Sequence, residues 1–197
     1  MVGRDDEFRQ ALAALEDDAE FHGVVLVGDE GAGKSTLARA IAEAVGSHGL
    51  TVRYVLGTET SKLVPLSAFY WLLTVDAARE PAMMLATAQR TLEKQENVLV
   101  VDDAHLLDPL SATLVYHLAS GGNTRLIVTI RSGSTVPDAV TALWKEQLLL
   151  RLRIKALTWQ QTEELARKVL GNAVETRLTN ELHGRTAGNP LMLRGLL

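Results

Sequence analysis

The stretch that decides the fold is GVVLVGDEGAGKST, residues 23–36. It begins with a short apolar run bounded by glycines, which is typical of a buried parallel strand. Its second half satisfies the pattern G-x-x-x-x-G-K-[ST], whose fixed positions here are Gly28, Gly33, Lys34 and Ser35. Such a loop turns its backbone amides toward phosphate oxygens at the positive end of the following helix. The stretch therefore predicts a phosphate-binding P-loop between a strand and a helix.

Within this loop, individual residues have separate predicted roles. Lys34 is expected to reach the outer phosphates of a nucleotide, and the Ser35 hydroxyl is a predicted ligand of magnesium. The phosphates themselves are expected to be held by the consecutive residues Gly31, Ala32, Gly33, Lys34, Ser35 and Thr36. Asp29 and Glu30 are unusual, because a carboxylate that faced the phosphates would repel them. We therefore expect both acids to face solvent.

Length and composition limit the classes of protein to which the chain can belong. Its 197 residues suffice for one globular domain, or one domain with a small appendage, and 47% are apolar while 22% are charged. Cysteine is absent, which excludes disulfides, thiolate metal sites and cysteine nucleophiles. The net charge of -4 argues against a large nucleic-acid-binding face. The acidic, polar start of the chain and the lack of a membrane-length apolar run predict a cytoplasmic protein.

Strand-like and helix-like segments alternate along most of the chain. Strands are predicted at 23–28, 51–55, 97–101, 125–131 and within 147–154, and helices at 5–19, 34–46, about 65–75, 81–95, about 109–119 and about 174–187. Thr158 and Gln161 form a predicted capping box for one further helix, which Gly171 ends. The order predicts an α/β nucleotide-binding core over residues 1–155, followed by a helical segment over residues 156–197.

Two acids follow the apolar segment NVLVV of residues 97–101. Ligands of open α/β sheets bind at the carboxyl ends of the strands, so Asp102 is predicted to support, from the second coordination sphere, the magnesium ion that Ser35 holds. Asp103 is predicted to orient or deprotonate the attacking water. Because Asp103 is one methylene shorter than glutamate, slow turnover is expected if the geometry suits glutamate. The alternative is that the two acids only cap the next helix. His105 either faces the nucleotide or caps a loop.

A basic residue is expected at the same edge of the sheet. Arg131 closes the strand-like segment LIVTIR of residues 126–131. A guanidinium at this place is predicted to sense the γ-phosphate of ATP. The alternative is an ordinary solvated arginine on the surface.

Taken together, these segments resemble a known family. VGRDDEF at the start, the P-loop, VLVVDDAHLLD, LIVTIR and GNPLML near the end occur in the order seen in STAND ATPases, and are most similar to the nucleotide-binding domains of large LuxR-type transcriptional regulators. The resemblance covers almost all of the chain. It implies a P-loop NTPase fold with three α/β/α layers, a five-stranded parallel sheet of order 5-1-4-3-2 and a small helical segment. It also implies an adenine pocket lined by Val2, Gly3, Arg4 and Pro190.

The resemblance further implies a function and partners. The expected ligands are ATP or ADP with Mg²⁺, bound by a switch domain that hydrolyses ATP weakly. In relatives the chain continues into a winged helix, a helical-repeat sensor and a helix-turn-helix, so this sequence is similar to a nucleotide-binding module truncated from a longer protein. DNA would be bound only through those further domains, no membrane contact is expected, and self-association would accompany activation.

Two other functions are compatible with the residues. One is a nucleotide-binding scaffold without turnover, because a protein can change state by holding ADP or ATP alone. The other is a small-molecule P-loop kinase. A kinase needs an arginine-bearing lid and an acceptor pocket, and neither is recognisable between Leu56 and Glu96.

Overall fold

The computed structural model of the protein describes residues 2–16, 19–47, 49–72, 80–94, 97–171 and 174–197. The strands are Gly23–Gly28 (β1), Thr51–Leu56 (β2), Asn97–Asp102 (β3), Thr124–Arg131 (β4) and Leu150–Ile154 (β5). The α-helices are Asp5–Ala13 (α1), Lys34–Gly46 (α2), Pro81–Glu93 (α3), Pro109–Gly121 (α4), Asp138–Lys145 (α5), Trp159–Leu170 (α6), Thr176–Thr186 (α7) and Pro190–Leu196 (α8). Short 3-10 helices cover Ser61–Leu63, Ser67–Leu72 and Ala104–Leu106.

The five strands form one parallel sheet in the order β2-β3-β4-β1-β5. Read from its other edge, this is the predicted order 5-1-4-3-2, which is confirmed. Gly28 lies opposite Arg131 on one side and Ile154 on the other, and Leu56 lies opposite Asp102. The carboxyl ends of all five strands therefore meet along one edge. This register places the P-loop, the acid pair and Arg131 side by side.

Helices cover both faces of the sheet, as the period-two alternation of β1 requires. Val24 and Leu26 belong to an apolar cluster with α1 and α2, whereas Val25 and Val27 belong to a cluster with α3, α4 and α5. Strands β1, β3 and β4 are buried along nearly their whole length, while the edge strands β2 and β5 are partly exposed. The result is the predicted three-layer α/β/α arrangement.

The helical segment of residues 156–197 has an apolar cluster of its own. Its buried members are Leu157, Ala166, Val174, Leu182 and Leu193. The predicted capping box begins α6, since the Thr158 amide donates to Gln161 Oε1 at 2.9 Å and the Thr158 hydroxyl accepts from the Gln161 amide. In the described ranges, no helix has the length and apolar character needed to cross a membrane.

Two predicted helices differ from the structure. The helix expected over 5–19 ends at Ala13, where the chain turns and buries Leu15 against α1 and α2; residues 17–18 lie outside the described ranges. The helix expected near 65–75 is replaced by 3-10 turns, and its last residues, 73–75, are not described. Leu66 has a φ of +55°, and its amide donates to the Asp108 carboxylate at 2.9 Å. This tertiary bond holds a backbone conformation that an α-helix cannot contain.

Candidate nucleotide-binding site

The P-loop connects the end of β1 to the start of α2. Gly31 and Gly33 have φ values of +74° and +94°, which a side chain would strain. The Lys34 ammonium is buried and donates to the carbonyl oxygen of Asp29 at 2.9 Å, so it lies over its own loop. Burial lowers the pKa of Lys34, and the charge of Asp103 opposes this shift. A poorly hydrated ammonium in this position would gain from a phosphate partner.

The acid pair at the end of β3 is connected directly to the P-loop. The Ser35 hydroxyl donates to Asp102 Oδ1 at 2.9 Å, and the Thr129 hydroxyl donates to the same oxygen at 2.5 Å. Thr129 in turn accepts the Asp103 amide at 2.9 Å. Thr129 is fully buried in β4 and therefore fixes both acids. Thr129 was not predicted as a site residue, although a single hydroxyl within the apolar segment LIVTIR is the signal that could have identified it.

Asp103 itself has an unusual backbone conformation. Its φ of 53° and ψ of 47° lie in the left-handed region, and its side chain is 39% exposed at the sheet edge. His105 is buried beside it, with Nδ1 at 3.9 Å from Asp103 Oδ1 and no hydrogen bond to Nδ1 from any described residue. Burial lowers the pKa of His105, and the charge of Asp103 opposes the shift. The two alternatives for His105, a nucleotide contact or a loop cap, both stay predictions.

Arg131 ends β4 next to the P-loop, but its guanidinium is already paired. Arg131 Nη2 lies 2.9 Å from Glu30 Oε2. Asp29 and Glu30 are both exposed, as predicted from their charge. The ion pair was not predicted, because it joins the P-loop to a strand that follows about a hundred residues later.

An amino-terminal arm, which consists of residues 2–4, packs against the P-loop. The buried Arg4 guanidinium donates to the carbonyl oxygens of Ala32 at 3.0 Å and Lys155 at 2.6 Å. Burial lowers the pKa of Arg4, and the charge of Glu7 opposes this shift. Gly3 has a φ of +62°, and its carbonyl accepts from Gln161 Nε2 at 3.3 Å. The arm is thus bonded to the P-loop, to the exit of β5 and to α6.

A cavity of about 640 Å³ lies between the P-loop, the arm and the helical segment. It is lined by predicted residues, which are Val2, Arg4, Gly31, Ala32, Gly33, Lys34, Ser35, Thr36 and Pro190. It is also lined by residues that the sequence analysis missed, which are Leu157, Leu165, Val169, Leu191, Arg194 and Leu197. Of the predicted site residues, all within the described ranges, those that do not line it are Gly3, Gly28, Asp102, Asp103 and Arg131. The lining therefore combines the P-loop, with Lys34, Ser35 and Thr36, and a mostly apolar set of side chains from the helical segment, in which Arg194 is the charged exception.

The start of α8 contacts the P-loop directly. Asn189 Oδ1 caps the helix by accepting the amides of Leu191 and Met192, while Asn189 Nδ2 donates to the Glu30 carbonyl at 2.8 Å. The Leu191 amide also lies 3.2 Å from the Gly31 carbonyl. A Cβ on Gly31 would lie 2.6 Å from Asn189 Oδ1, so this contact requires glycine. Asn189 is a further residue whose role was not predicted from the sequence.

Ser35 and Asp102 also line a smaller cavity of about 160 Å³ beside the P-loop. Their hydroxyl and carboxylate oxygens are the hard donors that Mg²⁺ prefers. Among the described residues, no cluster of three or more acidic, histidine or cysteine side chains could hold a metal alone. This donor set fits a magnesium ion that takes its other ligands from phosphates and water.

Comparison with known proteins agrees with this geometry. A family model described as AAA domain matches residues 22–137, which is more than half of the chain. A search of curated proteins found no match. One similar solved structure is a STAND protein, a signal transduction ATPase with numerous domains, with a tetratricopeptide repeat sensor from Pyrococcus horikoshii. It has a TM-score of 0.63 and 20% identity, covering 98% of this chain and 29% of that one.

A second similar structure is the Aeropyrum pernix ORC1 protein in complex with DNA. Its TM-score is 0.66 at 17% identity, and the match covers 98% of this chain and 58% of that one. At these identities the similarity establishes the fold, and this chain spans only part of the length of either protein. The family model covers the P-loop, both acids and the strand that ends in Arg131. The chain therefore belongs to the AAA domain family and is an AAA-type nucleotide-binding domain.

Proposed function

We propose that this chain is an ATP- and ADP-binding switch domain with weak magnesium-dependent ATP hydrolysis, from a signal-responsive transcriptional regulator of the large LuxR type. The observation that carries the proposal is the position of the cavity, which has the P-loop on one side and residues of α6 and α8 on the other. A ligand there touches both parts of the molecule. Its binding energy can therefore shift the equilibrium between their arrangements.

The two walls of the cavity suit the two ends of a nucleotide. The P-loop amides and Lys34 would bind the phosphates. Leu157, Leu165 and Pro190 would supply an apolar surface for an adenine ring, and Val2 and Arg4 of the arm also line the cavity. The ring of Pro190 is rigid and apolar, and it brings no amide hydrogen that would need a partner. Gly3 positions the arm through its bond to Gln161.

Ser35 and Asp102 are the residues that would hold magnesium, which when bound neutralises charge on the phosphates. Asp103 would orient the attacking water, and its left-handed backbone is fixed through the Thr129 hydroxyl. Arg131 would sense the γ-phosphate after leaving Glu30. The short side chain of Asp103 and the paired state of Arg131 both support slow hydrolysis.

We also propose that residues 1–155 form the nucleotide-binding core and residues 156–197 form a lid. The separate apolar cluster of the helical segment supports this division. The state of the lid would be read by further domains of a longer protein, which include a winged helix, a helical-repeat sensor and a helix-turn-helix. DNA would be contacted through those domains only, and self-association would follow activation.

A second candidate function is a scaffold that binds nucleotide without turnover. The observation that favours it is again the Glu30–Arg131 ion pair, because it occupies the arginine that hydrolysis would need. Phosphate release separates the two functions. Slow release that Asp103→Ala abolishes, with nucleotide affinity kept, supports the switch ATPase, whereas no release from the wild type supports the scaffold.

The proposed function is tested by calorimetry of ATP and ADP, with and without Mg²⁺. Lys34→Ala should weaken both affinities about a hundredfold or more, because it removes the buried ammonium that faces the phosphates. Lys145→Ala is the matched control, since Lys145 is an exposed lysine at the end of α5. Thermal denaturation should show both variants folded. Unchanged affinity in a folded Lys34→Ala variant would refute the site.

A further inference from the structure

We propose that Glu30 is a specificity-determining residue that makes the site favour ADP over ATP by holding Arg131. The inference rests on the proposed function, since it concerns the nucleotide that the P-loop binds. Neither the pattern G-x-x-x-x-G-K-[ST] nor the acid pair requires an acidic residue at this position. The feature that calls for an explanation is a carboxylate placed next to a phosphate site, where its charge alone is unfavourable.

The ion pair is placed so that it can open without disturbing the fold. The Arg131 backbone is fixed, because Arg131 pairs with Gly28 in the sheet and the next amide, of Ser132, donates to the Gly28 carbonyl at 3.0 Å. The two side chains are exposed, at 46% for Arg131 and 69% for Glu30. An exposed ion pair is weak and screened by salt. Rotation of side chains alone would therefore release the guanidinium.

Arg131 is also close enough to act on the phosphate site. Its charge lowers the pKa of both Lys34 and His105, in addition to the larger effect of burial on each. The groups that face this region are the ammonium of Lys34 and the carboxylates of Asp29, Asp102 and Asp103. Arg131 is thus a second cation beside the P-loop lysine, and Glu30 is its bonded partner in the described structure.

Competition for Arg131 distinguishes ATP from ADP. A γ-phosphate would have to take the guanidinium from Glu30, whereas ADP would not. Removal of the charge in Glu30→Gln should therefore tighten ATP binding about threefold to fivefold and leave ADP binding nearly unchanged. The change should shrink as salt concentration rises.

The competition is coupled to the helical segment through the same residue. The Glu30 carbonyl accepts Asn189 Nδ2 at 2.8 Å, so the backbone that carries the carboxylate is held by the start of α8. A γ-phosphate that separates Glu30 from Arg131 would therefore free the Glu30 side chain, while the Glu30 backbone stays bonded to the start of α8. Glu30 thereby joins the end of β4 to the lid.

The experiment measures the affinities of ADP and of a β,γ-methylene ATP analogue, each with Mg²⁺, by calorimetry. The variants are Glu30→Gln and Asp29→Asn, which removes the same charge one residue away. Asp29 is exposed and has no ion pair with any described residue. A rise in the ratio of analogue affinity to ADP affinity in Glu30→Gln, well above the rise in Asp29→Asn, supports the proposal. Equal rises in the two variants would overturn it, because they would reflect charge alone.

A double-mutant cycle with Arg131→Gln tests whether Glu30 acts through Arg131. In the Arg131→Gln background, Glu30→Gln should no longer change the ratio. A gain that persists in that background overturns the proposal. Failure of this inference can be distinguished from failure of the proposed function. If the wild type binds neither nucleotide, or if Lys34→Ala binds as well as the wild type, both the proposed function and this inference fail. If binding is normal and only the ratio is insensitive to Glu30, the proposed function stands and this inference fails.

Discussion

The P-loop and the helical segment of residues 156–197 line one cavity, and the parts of the molecule that support them are stabilised in different ways. At the sheet edge, buried strands position Asp102 and Thr129, and the side chains are joined by direct hydrogen bonds. The helical segment has a small apolar cluster, and it leaves Val169 56% exposed and Leu191 61% exposed at the cavity. The wall that carries the P-loop is therefore the more rigid one, and the wall formed by the helical segment is the softer one.

The largest expected effect tests whether the two walls unfold separately. Leu26→Ala in β1 and Leu193→Ala in α8 both truncate a fully buried leucine, at a cost of about 3 kcal/mol each. Only Leu26→Ala should lower the free energy of the main urea transition by that amount, because Leu193 belongs to the separate cluster. Hydrogen exchange in Leu193→Ala should rise in α6–α8 and not in the strands. Equal shifts of the main transition would show that the walls unfold as one unit.

A smaller effect is expected at Thr129, which is buried at the sheet edge. Thr129→Val removes the hydroxyl that bonds both acids and should cost about 1–2 kcal/mol of unfolding free energy. We expect phosphate release to slow about tenfold while ADP affinity stays nearly constant, because Asp103 loses its anchor and the P-loop does not. Thr129→Ser is the matched control and should restore release. A valine variant with normal release would contradict the positioning role.

The smallest effect is expected at Pro190, on the softer wall. Pro190→Ala should weaken ATP and ADP binding about threefold to fivefold, since it removes part of the apolar surface beneath the adenine. Binding of inorganic triphosphate, measured by competition, should not change. An equal loss for triphosphate would mean that the proline positions the P-loop through α8 and does not contact the base.

The sequence was most informative for features that are specified by residues close together in the chain. The P-loop, the capping box of Thr158 and Gln161 and the burial of β1, β3 and β4 are local patterns, and the structure has them as predicted. The strand order came from the resemblance to STAND ATPases and was confirmed as well. The acidic residues Asp29 and Glu30 were expected to be exposed on electrostatic grounds alone, and both are.

The features that the sequence did not predict depend on contacts between distant residues. The left-handed turn at Leu66 is held by Asp108, which follows β3 in the chain. Local helix propensity therefore could not exclude a helix at Leu66. The Glu30–Arg131 and Glu30–Asn189 contacts join the P-loop to residues about 100 and 159 positions later. No periodicity connects such positions, and only the three-dimensional register of the strands brings them together.

The two hydrogen bonds of Arg4 have a consequence for the order of folding. The bond to the Lys155 carbonyl spans 151 residues, so it cannot form until nearly the whole core has been synthesised. Contacts of such long sequence separation are entropically costly and form late. The P-loop belongs to the first quarter of the chain, yet the Ala32 carbonyl receives its arginine only when the arm docks. In the proposed function, where the arm closes the nucleotide cavity, binding competence would therefore be a late event in the maturation of this domain, and a nascent chain that ends before β5 would expose an incomplete site.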